Sequence, residues 1–145
     1  MATMTSPDDR RPRIYDTSAA AWALLDSGAA VTVFPRAKCK KPPPSDNHRH
    51  LQAINGTTIK TYGTRDISFD FGQGRRYRHQ AIIADINEPI IGWDFTSKFN
   101  LDLNWQKDGR CRLVDKKANK YYNLRLQPLP HYANQVAVVQ GSFKK

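Results

Sequence analysis

The sequence predicts an all-β protein, and three observations carry that expectation. Apolar and polar residues alternate along Ile67, Ser68, Phe69, Asp70 and Phe71, the period of a strand with one buried face. Turn-forming groups, Asn55-Gly56, Gly72-Gln73-Gly74 and Asp108-Gly109, fall between β-prone segments. Helical periodicity is almost absent. Asp94–Phe99 is the one stretch that reads as a helical turn, with Asp94 placed to cap it.

At 145 residues the chain fits one domain and can bury a core without disulfide staples. No apolar run approaches the ~20 residues of a membrane-spanning helix, so no membrane partner is expected. Residues 1–13 lack the apolar middle of a signal peptide. Cys39 and Cys111 lie 72 positions apart outside any C-x-x-C motif, which excludes a disulfide scaffold and implies reduced thiols in the cytoplasm. The net charge is +10, from 23 Lys and Arg against 13 Asp and Glu. Such a charge favours anionic neighbours. The basic residues are dispersed, however, around Arg10–Arg13, Lys38–Lys41, Arg75–Arg78 and Lys116–Lys120, with no RNA-reading motif among them. Nonspecific proximity to RNA is all that this pattern implies.

In chain order, residues 1–12 read as a flexible leader, residues 13–126 as the domain with its core in 13–105, and residues 127–145 as a C-terminal extension. Ile14–Asp16 and Trp22–Leu25 are expected to pair through a turn at 17–20. Val31, Val33 and Phe34 form a short strand stopped by Pro35. Arg36–Arg49 carries Pro42, Pro43 and Pro44 and reads as an extended surface loop. Leu51–Ala53 and Thr57–Lys60 flank Ile54-Asn55-Gly56, the clearest hairpin in the chain because a type I′ turn needs positive φ at both centres. The second arm continues to Phe71 with a kink at Gly63. Strands then follow at Tyr77–Ala84, Leu101–Trp105, Cys111–Val114 and Tyr121–Leu126, with a buried Pro89-Ile90-Ile91-Gly92 between the first two.

One stretch has chemical content. In Trp22-Ala-Leu-Leu-Asp-Ser-Gly-Ala-Ala-Val-Thr-Val-Phe34, Asp26 leaves an apolar strand, passes Ser27 and Gly28, and the chain re-enters a strand. Alone, Asp-Ser-Gly is an Asx-type turn. Walled by Leu24, Leu25, Val31 and Val33, it is also a way to hold a carboxylate at the base of a tight loop, where burial raises its pKa. Ser27 offers a hydroxyl within the loop, and Gly28 allows close approach of backbone or substrate. Cys39 with His48 and His50 lacks zinc spacing, so no metal or other cofactor is expected. His79 and His131 carry no recognisable motif.

Leu24-Leu25-Asp26-Ser27-Gly28-Ala29 resembles the active-site motif of retropepsins, the aspartic proteases of retroviruses and LTR retrotransposons. Ile90-Ile91-Gly92-Trp93-Asp94-Phe95, beginning 64 positions after the aspartate, resembles their second signature. Asn55-Gly56 falls where their flap hairpin lies. The three elements are in order across roughly residues 13–105, and the wording of the last two is closest to Gypsy-like elements. Two positions depart from the retroviral pattern: Ala30 and Trp93 stand where many members carry a mutually paired aspartate and arginine. Both partners are missing together, so no charge is stranded.

The resemblance implies a closed β-barrel-like lobe with a flap hairpin and one short helix, working as a homodimer. It implies Asp26, Ser27 and Gly28 as the catalytic loop, one Asp26 from each chain. Ala29, Ala30, Ile54, Asn55, Gly56, Thr57, Ile90 and Ile91 become substrate-binding residues. The expected activity is that of an aspartic endopeptidase on extended peptide segments of a retroelement polyprotein, in the cytoplasm and within a virus-like particle. The alternatives are a catalytically silent or domesticated dimerisation module and a basic RNA-associated domain. The intact Asp-Ser-Gly speaks against the first, and the missing RNA-reading motif against the second.

Overall fold

A computed structural model describes residues 10–26, 28–43, 49–52 and 58–128. β1 (Arg10–Asp16) and β2 (Ala21–Leu25) pair antiparallel through the turn at 17–20, with Ile14 opposite Ala23 and Tyr15 opposite Trp22. β1 starts three residues before the expected leader boundary. The reason lies far along the chain: Arg10–Arg13 pair with Arg125–Pro128, the strand β11 that closes this edge. β11 likewise runs past the expected end of the domain at residue 126.

β3 (Val33–Pro35) is shorter than expected and leaves Val31 outside it, while Pro35 is its last residue rather than a stop. A single 3-10 turn at Arg36–Lys38 follows, and the Arg36 guanidinium donates to the Pro43 carbonyl at 2.8 and 3.0 Å, folding the basic loop back. β4 (Arg49–Gln52) pairs with β5 (Thr58–Asp70) in the register Leu51 opposite Ile59. The hairpin tip that joins them lies outside the described residues. In β5, Gly63 takes φ 87° and the register slips between Thr61 and Thr64, the bulge that the glycine permits. β6 (Arg76–Ala84) returns along β5.

β7 (Ile90–Ile91) inserts between β2 and β3, parallel to the first and antiparallel to the second. The large sheet therefore runs β11-β1-β2-β7-β3-β6-β5-β4. Two of its pairs, β2–β7 and β3–β6, are parallel. Parallel pairs need cover on both faces, which explains the unbroken apolar run Ala81-Ile82-Ile83-Ala84. Ala81 and Ile83 face one core cluster, and Ile82 and Ala84 face the other.

α1 (Trp93–Lys98) begins one residue earlier than expected, with Gly92 at its N-cap and Asp94 inside the first turn. After it, β8 (Leu101–Trp105), β9 (Cys111–Asp115) and β10 (Lys120–Asn123) form a separate three-stranded sheet with β8 at one edge. The single strand expected at Tyr121–Leu126 is two. The chain changes sheets at Leu124, which packs against the first core cluster.

The larger cluster is aromatic: Phe95 packs edge-on to Phe69 at 5.2 Å and lies 4.9 Å from Phe99, and Tyr77 lies 5.4 Å from Phe71. Beneath it the small sheet is tied to the large one. The Tyr77 hydroxyl donates to Asp115 Oδ2 at 2.6 Å and bonds the Tyr122 hydroxyl at 2.7 Å, while Arg75 Nε lies 3.0 Å from the same carboxylate. Desolvation alone would raise the Asp115 pKa. The Tyr77 and Ala118 donors and the Arg75 charge outweigh it and hold the group below its ordinary 3.8. Its stabilisation is thus complete above pH 3.8 and is lost as pH falls through the lower folded value. Tyr77→Phe is expected to cost ~1–3 kcal/mol at pH 7, the toll of leaving a buried carboxylate short of a donor. The deficit against wild type should shrink as pH falls from 3.8 through the lower folded value, as read by denaturant melts at pH 7 and along that descent.

Candidate active site

Asp26 is the first residue after β2, where the chain arches over the end of β7 to reach β3. The arch is fastened by backbone bonds: Asp26 N–H donates to Ile91 O at 2.9 Å, Ala29 N–H to Asp26 O at 3.1 Å, and Trp93 N–H to Ala29 O at 2.8 Å. The last bond satisfies an orphan donor at the start of α1. Gly92, the N-cap, offers no side chain, and Asp94 inside the first turn accepts the Phe95 N–H through Oδ1 at 2.8 Å.

Gly92 is where the two signature segments press together. A Cβ there would stand 2.5 Å from Val31 O and 2.8 Å from Ala29 O, both backbone atoms that cannot yield without moving the arch. Thr32, buried behind the arch, fixes the same contact from the other side. Its hydroxyl accepts Gly92 N–H at 3.1 Å and donates to Asp94 Oδ1 at 2.7 Å.

The Asp26 side chain is 8% exposed. Gly28 N–H donates to Oδ1 at 3.0 Å, and Oδ2 is buried without a partner among the described residues. Burial pushes this carboxyl above its ordinary value, against the pull of Gly28 N–H, the Arg11 charge and Ala29 N–H. A cavity of about 730 Å³ opens beside it, lined by Arg11, Leu25, Trp93, Leu103, Trp105 and Leu126. A desolvated carboxyl with an unpartnered oxygen, on a residue that lines a cavity, keeps its proton to higher pH than a free aspartate and can take a second hydrogen-bonding group.

The other expected site residues distribute unevenly. Gly28 and Ala30 are exposed on the arch, whereas Ala29 is buried and serves it through its carbonyl. Ile90 and Ile91 make up β7. Both are fully buried, one in each core cluster, because β7 is sandwiched between β2 and β3. Ser27, Ile54, Asn55, Gly56 and Thr57 lie outside the described residues. No cluster of His, Cys, Asp and Glu fit for a metal occurs among the described residues, and both cysteines are free.

Three residues that the sequence reading passed over belong to this neighbourhood: Thr32, His79 and Asp94 in its observed role. Thr32 interrupts the apolar run Val31–Phe34, and His79 shares the inward parity of Tyr77, Ala81 and Ile83. A polar residue at a core-facing position was the available signal.

With the arch, the inserted strand and the single helix in place, residues 13–104 match the family described as retroviral aspartyl protease, and the chain belongs to that family. The retroviral protease-like domain of Ddi1 from Leishmania major shares the fold, with a TM-score of 0.53 at 13% identity over 88% of this chain and 97% of that one. EIAV protease complexed with the inhibitor HBY-793 gives a TM-score of 0.45 at 20% identity, over 70% and 99%. No curated protein matches the chain. Among the described residues no helix is long and apolar enough to cross a membrane.

Gly92→Ala is expected to cost ~1–3 kcal/mol of stability, the usual range for overpacking, and to displace the arch. Loss of the Trp93 N–H to Ala29 O bond, read as faster amide exchange at Trp93, is the accompanying sign. Unchanged exchange at Trp93 would show that the arch absorbs the methyl elsewhere.

Proposed function

We propose that the chain is an aspartic endopeptidase that assembles its active site from two copies, one Asp26 from each. The observation that carries this reading is the buried Asp26 carboxylate with Oδ2 unpartnered beside an open cavity. Two such groups within hydrogen-bonding reach cannot both ionise, so they share one proton and titrate as a pair. The ionised member takes a proton from water as it attacks the peptide carbonyl, and the protonated member donates to the carbonyl oxygen. Gly28 N–H holds the carboxylate through Oδ1, and the arch fixes its direction. Ser27 and the hairpin tip at Ile54–Thr57 are assigned to the loop grip and to closure over an extended peptide on the strength of the family resemblance. Gly28, Ala29 and Ala30 are assigned to its backbone. The substrate is proposed to be a retroelement polyprotein, cut in the cytoplasm or inside the particle it forms.

The surface around the cavity supports the second copy. Trp93, Leu103 and Trp105 are 60%, 41% and 56% exposed, although Leu103 and Trp105 alternate as a buried strand face would. Among the described residues β8 is an unpaired sheet edge, and Asp102 is its one charged residue.

Asp26→Asn should abolish cleavage of a polyprotein-derived peptide while leaving the dimer mass unchanged. Cleavage within tenfold of wild type would sink the aspartic mechanism. The wild-type rate should follow a bell-shaped pH curve centred in the acidic range and fall as the second carboxylate ionises.

Leu103→Arg places a cation on the face of proposed contact. Monomers with intact far-ultraviolet circular dichroism and less than a hundredth of the activity are expected at micromolar protein. High salt should recover part of the loss, since the Debye length shrinks from ~10 Å at 0.1 M to ~3 Å at 1 M. Full activity in a demonstrated monomer would exclude the shared site.

A further inference from the structure

His79 sits on β6, 15 positions from Asp94 and on neither signature segment, yet it reaches the machinery that holds Asp26. Four donors converge on the Asp94 carboxylate. Oδ1 accepts Phe95 N–H at 2.8 Å and the Thr32 hydroxyl at 2.7 Å, and Oδ2 accepts Thr32 N–H at 3.2 Å and lies 2.9 Å from His79 Nε2. The direction of each bond follows from the network. Gly92 N–H occupies the acceptor side of the Thr32 hydroxyl, so the hydroxyl proton goes to Asp94. Asp94 is then an acceptor throughout, and His79 must carry its proton on Nε2.

The histidine is costly where it is. Its side chain is buried between the edges of Phe95 and Phe99, at 5.2 and 6.2 Å, and Nδ1 has no partner among the described residues. An apolar ring would fill the same place without burying an unpaired nitrogen. What His79 supplies that such a ring lacks is one donor, aimed at Asp94 Oδ2.

We propose that His79 is a positioning residue of the active site: its Nε2–H holds the Asp94 carboxylate in the orientation that anchors Thr32, and through Thr32 and Gly92 the arch that carries Asp26. His79 touches neither substrate nor the reacting carboxylates. The bond takes over part of the bracing that a charged pair at Ala30 and Trp93 would give. This inference rests on the protease reading for its catalytic consequence, but its structural half stands apart from it.

The test compares His79→Phe, which keeps the ring, with His79→Gln, whose amide can return a donor to the same place. Peptide cleavage is measured on the full chain at concentrations where the dimer is complete by mass. His79→Phe should lower kcat by about 10- to 100-fold, the scale of a misplaced catalytic group, with KM within twofold. His79→Gln should recover most of that loss. The double variant His79→Phe with Asp94→Ala should be no worse than Asp94→Ala alone. Amide exchange at Thr32 and Gly92 is followed in parallel: faster in the Phe variant, restored in the Gln variant. Wild-type kcat in the Phe variant, equal losses in Phe and Gln, or additive losses in the double variant would each overturn the proposal. If the wild-type chain cleaves nothing, the protease reading fails, and the exchange rates at Thr32 and Gly92 decide the bracing role without it.

Discussion

The structure turns on the contact at Gly92, where one segment of backbone is pressed against the carbonyls of another. Only a residue without Cβ lets α1 begin directly under the arch, because a methyl group would meet Val31 O at 2.5 Å. Trp93 N–H can then reach Ala29 O, and Asp26 N–H can reach Ile91 O. These bonds place β7 between β2 and β3, which fixes the strand order and requires cover on both sheet faces. The two core clusters are the consequence. A distortion at this one contact would reach the sheet, the helix and the carboxylate together.

The buried carboxylates show how differently one chemical group can be used. Asp115 has Tyr77, Ala118 and Arg75 around it and is held below its ordinary pKa, which suits a tie between two sheets. Asp16 is also buried. It receives Ser18 and Asp70 donors on Oδ1 and fastens the first turn to β5, though desolvation still raises its pKa. Asp26 receives one side-chain bond and faces a cavity. Burial raises the pKa of both Asp16 and Asp26. The cavity beside Asp26 is what separates a residue available for chemistry from one closed into a turn.

The exposed apolar side chains follow the same logic. Leu103 and Trp105 sit on a strand whose pattern asks for a buried face, yet no described residue covers them. Trp93 joins them at the start of α1, where the resemblance places a cation. An apolar rim of this kind beside the Asp26 cavity is the surface on which the proposed second copy would sit. The network of His79, Asp94 and Thr32 lies on the far side of the arch and braces it from within the chain.

Much of this was legible in the residues. Alternation in β5, the glycines at turns and the absence of helical period determine an all-β chain, because side-chain parity in a strand is a local property. The Asp-Ser-Gly between apolar walls and the Ile-Ile-Gly before a short helix mark the two segments that meet, since each is a contiguous word. The tertiary structure alone decided what depends on residues far apart. It turned Arg10–Pro12 from leader into strand, because their hydrogen-bond partners are at Leu126–Pro128. It buried Ile90 and Ile91 in the two core clusters, because β7 is inserted between two strands. It placed Asp94 inside the first turn of α1, with four donors, rather than at the N-cap, and it brought in His79, which has no local signal beyond a polar residue at a buried parity. Local pattern fixes which way a side chain points along its own strand. What it meets there is set by chain crossings that no short window of sequence contains.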